Sequence, residues 1–168
     1  MFQSLIGRPI LAAVALLLIA STPAQAVPRQ TPGSCKGQAE IKPLETLQVR
    51  TDRGVESFQV EIAYTWRERE YGLMCRKSLG PKRGMLFVFP VAGPQAFWMR
   101  NTLIALDIIY VGPEGRVVSI TRNARPLDER PLPSSGPASA VLELAGGRAA
   151  QIGLLPGDRL YHRIFPRD

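Results

Sequence analysis

Histidine is nearly missing from these 168 residues: there is one, His162, alongside only two cysteines, Cys35 and Cys75. With no C-x-x-C pair and no His/Cys ligand spacing, the zinc motifs are excluded. No serine sits between the glycines of a nucleophile elbow, and there is neither a phosphate loop nor a dinucleotide fingerprint. The familiar hydrolase and nucleotide chemistries therefore have no motif to rest on, and no cofactor is expected. Internal repeats and low-complexity tracts are absent. A membrane-spanning run is missing too: the apolar stretch "ILAAVALLLIA" after Arg8 is eleven residues long, short of the roughly 20 that a spanning helix needs.

That stretch has a different meaning. A positive start, a short apolar core and the small-residue sequence "STPAQA" form the pattern of a secretory signal peptide. Residues 1–26 are expected to be removed after Ala26, leaving a secreted, periplasmic protein with no stable membrane span, expected to be a monomer. Arg8 is the only charged residue in the leader, so 20 of the 21 basic residues and all 14 acidic ones stay behind. The basic surplus suits anionic partners, but the arginines are scattered singly, without the clustering of a nucleic-acid footprint. No nucleic-acid partner is expected. In an oxidising compartment the pair Cys35 and Cys75 reads as one disulfide. Closing a loop of about 40 residues, it should contribute on the order of 3 to 4 kcal/mol by chain entropy.

Along the chain, residues 27–45 are rich in proline, glycine and polar side chains and read as an extended arm, with a single domain over 46–168. "TLQVRT" and "ESFQVEIAY" alternate apolar and polar around the turn "DRG", which predicts a hairpin with Phe58, Val60 and Ile62 on one face. Thr65 and Glu68 form a capping box that opens a short helix, placing Trp66, Arg69 and Leu73 on one stripe. "MLFVFP" predicts a strand ended by Pro90. "QAFWMRN" and "LDIIYV" read as further strands, as do "RVVSITRN", "ASAVLEL" and "RLYHRI", with a short helix in "GGRAAQIG". Residues 125–137 hold four prolines and no periodicity; a loop of this length is often functional, and it is expected to cover a site. Strands joined by turns argue for antiparallel pairing. The fold expected is mainly β (α+β): one barrel-like, largely antiparallel β domain with two short helices.

The stretch "FWMRNTLIALDIIYV" at 97–111 carries the anomaly. Arg100, Asn101 and Asp107 sit inside the most apolar segment, where a charge is costly unless paired. Strand alternation would put Phe97, Met99 and Asn101 on one side, and Trp98 and Arg100 on the other. Asp107 should find an arginine, from Arg69, Arg76 and Arg100, or several backbone donors. One reading is a structural ion pair that fixes register. Another is a binding site of Arg69, Trp98, Arg100, Asn101 and Asp107 for a small anionic or carbohydrate-like ligand, with Trp98 as platform, Arg100 and Asn101 as polar contacts, and Asp107 orienting an arginine. A third is a hydrolase-type enzyme with Asp107 as general acid or base, which requires Asp107 in a solvent-reachable cleft. A fourth is soft-metal (copper) binding by Met74, Met85, Met99 and Cys75. His162 reads as a half-exposed residue of the last strand.

"REREYGLMCRKSL", "GMLFVFP", "FWMRNTLIALDIIYV" and "GLLPGDRL", in this order over roughly residues 46–165, resemble the family called domain of unknown function 192, which is found in bacteria and archaea. The resemblance implies a compact β-rich, barrel-like domain and lends no activity. Its recurrent residues fall on Arg69, Gly72, Leu73, Met74, Arg76, Gly84, Met85, Trp98, Met99, Asn101, Thr102 and Asp107. Cys75 stands where an aromatic residue is usual, which supports a lineage-specific disulfide to Cys35. Arg100 stands where lysine is usual, offering a planar fork in place of a point charge. The combined expectation is an exported small-ligand-binding or accessory module of the cell envelope.

Overall fold

The computed structural model describes Cys35 and residues 37–166; the expected leader lies outside them. The first hairpin is β1 (Glu45–Thr51) and β2 (Gly54–Ala63), in continuous antiparallel register from Glu45↔Val60 to Thr51↔Gly54. Helix α1 (Trp66–Tyr71) follows. It opens with the capping box complete: the Thr65 hydroxyl accepts from Glu68 N, and the Glu68 carboxylate accepts from Thr65 N. It ends at Gly72, whose φ of 47° and ψ of −131° lie where a side chain would be strained.

This helix carries the chain over to β3 (Arg83–Gly93), which pairs with β2 in parallel. The rest of the main sheet is antiparallel: β5 (Leu106–Val111), β6 (Val117–Ala124), β8 (Ala138–Ala145) and β9 (Arg159–Tyr161), in the spatial order β6-β5-β8-β3-β2-β1-β9. Two-residue strands β4 (Ala96–Phe97) and β7 (Leu132–Pro133) form a separate ribbon, and α2 (Arg148–Gln151) is a single helical turn. The sheet curls into a half-barrel until its edges touch: Arg116 bridges Arg159, Val117 N donates to Asp158 O at 2.8 Å, and Leu160 N donates to Gly115 O at 2.7 Å. Bridging the two edges leaves little free strand for unwanted pairing.

Both faces of the sheet are covered, which is why its middle strands read as continuous apolar runs rather than alternating ones. Inside the curl lie Leu47, Val49, Phe58, Val60, Ile109, Val111 and Leu142, closed by Ala149 and Ile152 from α2 and its end. On the outer face lie Met85, Phe87, Ile108, Tyr110 and Val141, covered by Leu73 after α1 and by Met99 from the loop after β4. All six residues of β5 are buried. Gly84 sits where β3 and β8 press together: a Cβ there would come within 2.8 Å of Glu143 O and 2.9 Å of Leu144 Cδ2.

Three expectations are corrected. β3 does not stop at Pro90 but passes through it to Gly93, the pairing with β8 shifting register between Val88 and Gly93; an irregular stretch tolerates the missing N–H. "QAFWMRN" is a strand only at Ala96–Phe97, after which the chain turns, and Asn101 takes a φ of 55°. "RLYHRI" is extended only to Tyr161.

Candidate functional site

On the outer face, α1 and the segment around β4 leave a cleft of about 450 Å³ between them. Trp66 and Leu73 line it from the helix and its C-terminal end, with Arg69 between them, so the three residues of the predicted stripe do share a wall. Trp98 faces it from the other side. Both tryptophans of the chain thus border one cleft, and both are exposed, Trp66 at 70% and Trp98 at 46%. The apolar wall is a set of edge-to-face aromatic rings: Phe97 meets Phe87 at 5.0 Å, Phe89 at 6.5 Å and Tyr110 at 6.1 Å between centroids.

A carboxyl stands among these apolar groups. Glu143, on β8, is 4% exposed and lines the cleft, and its Oε2 has no hydrogen-bond partner among the described residues. It lies opposite Met85 on β3 and Ile108 on β5. Burial raises its pKa to about 8, against the opposing pull of Arg76, so it is largely protonated at neutral pH. Nearby Tyr110 is also raised, to about 12, first by burial and further by Glu143. Its hydroxyl donates to Leu132 O. Arg76 belongs mainly to another carboxyl: Glu61 on β2, 1% exposed, takes its Nη1 at 2.5 Å and its Nη2 at 2.8 Å. Because Glu61 pairs with Met85 and Met85 with Glu143, the two buried carboxyls occupy one cross-strand row.

The residues singled out in the sequence do not form one cluster. Arg69 and Trp98 line the cleft. Arg69 Nη1 donates to Tyr64 O and to Val88 O, and the guanidinium lies 5.3 Å from the Phe89 ring centre. Arg100 is not among the lining residues; its guanidinium stacks on Trp98 at 5.5 Å. Asn101 is structural in its contacts: its carbonyl accepts from Cys75 N at 2.8 Å, while its amide lies 3.9 Å from Met74 Sδ.

Asp107 is on the other side of the sheet. Alternation along β5 sends Asp107 inward with Ile109 and Val111, while Ile108 and Tyr110 face out with Glu143. Fully buried, it accepts from Asn123 N at 2.8 Å, Gly147 N at 3.1 Å and Ala149 N at 2.7 Å, holding the start of α2. Among the described residues its oxygens are thus met by backbone donors and not by an arginine, and Asp107 does not orient Arg100. Nor is it in a cleft, so the general acid/base reading of Asp107 loses its requirement.

The remaining expectations fall out similarly. The disulfide Cys35–Cys75 is present, with Cα atoms 5.6 Å apart. It takes the only thiolate out of the proposed Met/Cys copper set. The disulfide secures the arm beside α1, where Gln38 Nε2 caps the carbonyls of Glu68 and Gly72, each at 3.0 Å. The proline-rich loop contributes no lining residue and instead braces the segment that does. β7 pairs with β4, Met99 N donates to Asp128 O, and Leu127 N donates to Thr102 O. His162 follows the last strand, and its side chain is only 2% exposed; burial lowers its pKa although Glu45 Oε2 lies 3.1 Å away.

Glu143 was missed in the sequence, though the signal that exposed Asp107 was there too: an acid inside the apolar strand "AVLEL".

Comparison with known proteins places these features in a family. The model of domain of unknown function 192 (Uncharacterized ACR) matches residues 47–162. A protein of unknown function from Novosphingobium aromaticivorans DSM 12444 has a similar crystal structure, with 41% identity and a TM-score of 0.70, covering 79% of this chain and 98% of that one. So does a Sinorhizobium meliloti 1021 protein named a "putative transcription regulator", with 36% identity and a TM-score of 0.70, covering 74% of this chain and 97% of that one. No curated protein matches. By the family model and by these relatives, the chain belongs to the domain of unknown function 192 family.

Proposed function

We propose that this is an exported, non-catalytic binding module of the cell envelope, which holds a small hydroxyl-bearing, carbohydrate-like ligand in the cleft between Trp66 and Trp98. The observation that carries this reading is the cleft itself: about 450 Å³, aromatic-walled, edged by both tryptophans, with one unpartnered carboxyl among its lining residues. Its size falls in the range of small-molecule sites, and an apolar wall with few polar groups is their usual make-up. Between an anionic and a hydroxylated ligand, the cleft favours the second. Arg69 already serves two carbonyls and an aromatic ring, Arg100 lies off the lining, and Glu70 and Glu143 both border the space. A protonated Glu143 can donate to a ligand oxygen. Export is supported by the leader pattern of residues 1–26 and by a disulfide that needs an oxidising compartment.

Since both tryptophans border the cleft, intrinsic fluorescence reports from it directly. Titration with neutral oligosaccharides of the cellulose and chitin types should shift or quench the emission saturably, while glucuronate and inorganic phosphate should not. Trp98→Ala should weaken the response about tenfold, the value of one good aromatic contact. A flat response to every saccharide would reject the reading.

A further inference from the structure

The outer face holds two buried carboxyls and one arginine to serve them. Glu61 and Glu143 lie on one cross-strand row, 1% and 4% exposed, with Met85 between them. Arg76 is bidentate on Glu61, which also accepts from Ile41 N at 2.7 Å. Glu61 is therefore fully served, while Glu143 Oε2 has no partner among the described residues. The other ionisable groups bordering the cleft supply no free cation: Arg69 is engaged with Tyr64 O, Val88 O and the Phe89 ring, Glu70 is an acid and Tyr71 a phenol, while burial raises the neighbouring Tyr110 to about 12. One buried carboxyl is thus left with neither a counter-charge nor a hydrogen-bond donor among the described residues, and it borders an aromatic cleft. Aromatic faces attract cations, and aromatic-lined sites are the usual receptors for organic ammonium groups.

We infer that the ligand carries a positive charge: it is a small hydroxylated organic ammonium ion whose cationic group sits among Trp66, Trp98 and Phe97 and pairs with the ionised carboxylate of Glu143. This rests on the cleft being the binding site, as proposed above, and narrows its ligand class. Burial keeps the Glu143 proton on in the empty cleft. A cation beside it favours the ionised form, so binding expels that proton to solvent, and affinity rises with pH up to about 8.

The test uses choline and its uncharged isostere 3,3-dimethyl-1-butanol, which share shape and hydroxyl and differ in charge. Both are titrated against the full chain by tryptophan fluorescence and by calorimetry in two buffers of different ionisation heat. Choline should bind at least tenfold more tightly than the isostere at pH 7, release close to one proton, and fall toward the isostere's affinity as the pH drops to 5. Glu143→Gln, which keeps the shape and removes the charge, should bring choline down to the affinity of the isostere with no proton released. Trp98→Ala should weaken both compounds. If the two bind equally to the native protein, or if Glu143→Gln leaves the choline preference intact, the ammonium inference is overturned while saccharide binding still stands. If neither these compounds nor the saccharides alter the fluorescence, the cleft is not the binding site and both readings fall.

Discussion

Two acids in apolar strands, Asp107 and Glu143, have opposite fates, and hydrogen bonding accounts for the difference. Asp107 accepts from three backbone N–H groups, so its charge is met inside the protein. Asp107→Ala would strand those donors in the core, where each unmet group costs about 1 to 3 kcal/mol. We expect a loss of about 3 to 5 kcal/mol in urea denaturation, with Asp107→Asn recovering only part of it, since an amide offers one acceptor oxygen in place of two. Glu143 Oε2 has no such donor among the described residues. Its folded pKa of about 8 lies above its ordinary value of 4.5, so the folded state holds a proton that the unfolded chain has released. Its contribution is therefore most favourable below pH 4.5 and is lost as the pH rises from there to about 8. Glu143→Gln should remove this slope, leaving the variant more stable than the native protein at pH 8.5 by about 1 to 3 kcal/mol, while differing little at pH 5. Denaturant midpoints at the two pH values measure it.

At the scale of elements, the cleft depends on how α1 is held. The capping box starts the helix and aims Trp66 and Arg69 into the cleft, while Gln38 closes the far end. Thr65→Ala should cost about 1 kcal/mol and weaken ligand binding more than that loss of stability alone would, because its effect falls on the wall that carries Trp66. The disulfide holds the same region. Replacing Cys35 and Cys75 by serine should lower stability by about 3 to 4 kcal/mol, seen as a fall in Tm that reductant also produces in the native protein.

The hairpin and α1 were legible because local signals fix them: strict alternation around a tight turn, and a capping box. The segment after Phe97 was not. Its apolar residues suggested a strand, yet Met99 is buried from a loop, laced by Asp128 O and by the Leu127–Thr102 bond. Apolarity records burial, and here burial is supplied by a long-range partner that no local pattern announces. The same limit hid the site. Asp107 and Glu143 look alike in sequence, and only the pairing of β5 with β8 reveals that they face opposite sides of the sheet.

At the scale of the whole molecule, one curled sheet separates a closed interior from an outer face that has an opening. The interior carries the structural acid and the outer face the unpartnered one, so stability and binding should be separable by mutation: inner-face changes lower Tm, and cleft changes alter occupancy. The central claim is that the cleft holds a small molecule in the envelope, and native mass spectrometry of protein recovered from an exporting host tests it most directly. The account predicts a chain beginning at Val27, two hydrogens lighter for the disulfide, with an added small-molecule mass that disappears in the Trp66→Ala, Trp98→Ala double variant. An added mass that survives unchanged in that variant, or a bare chain under every gentle condition, would contradict it.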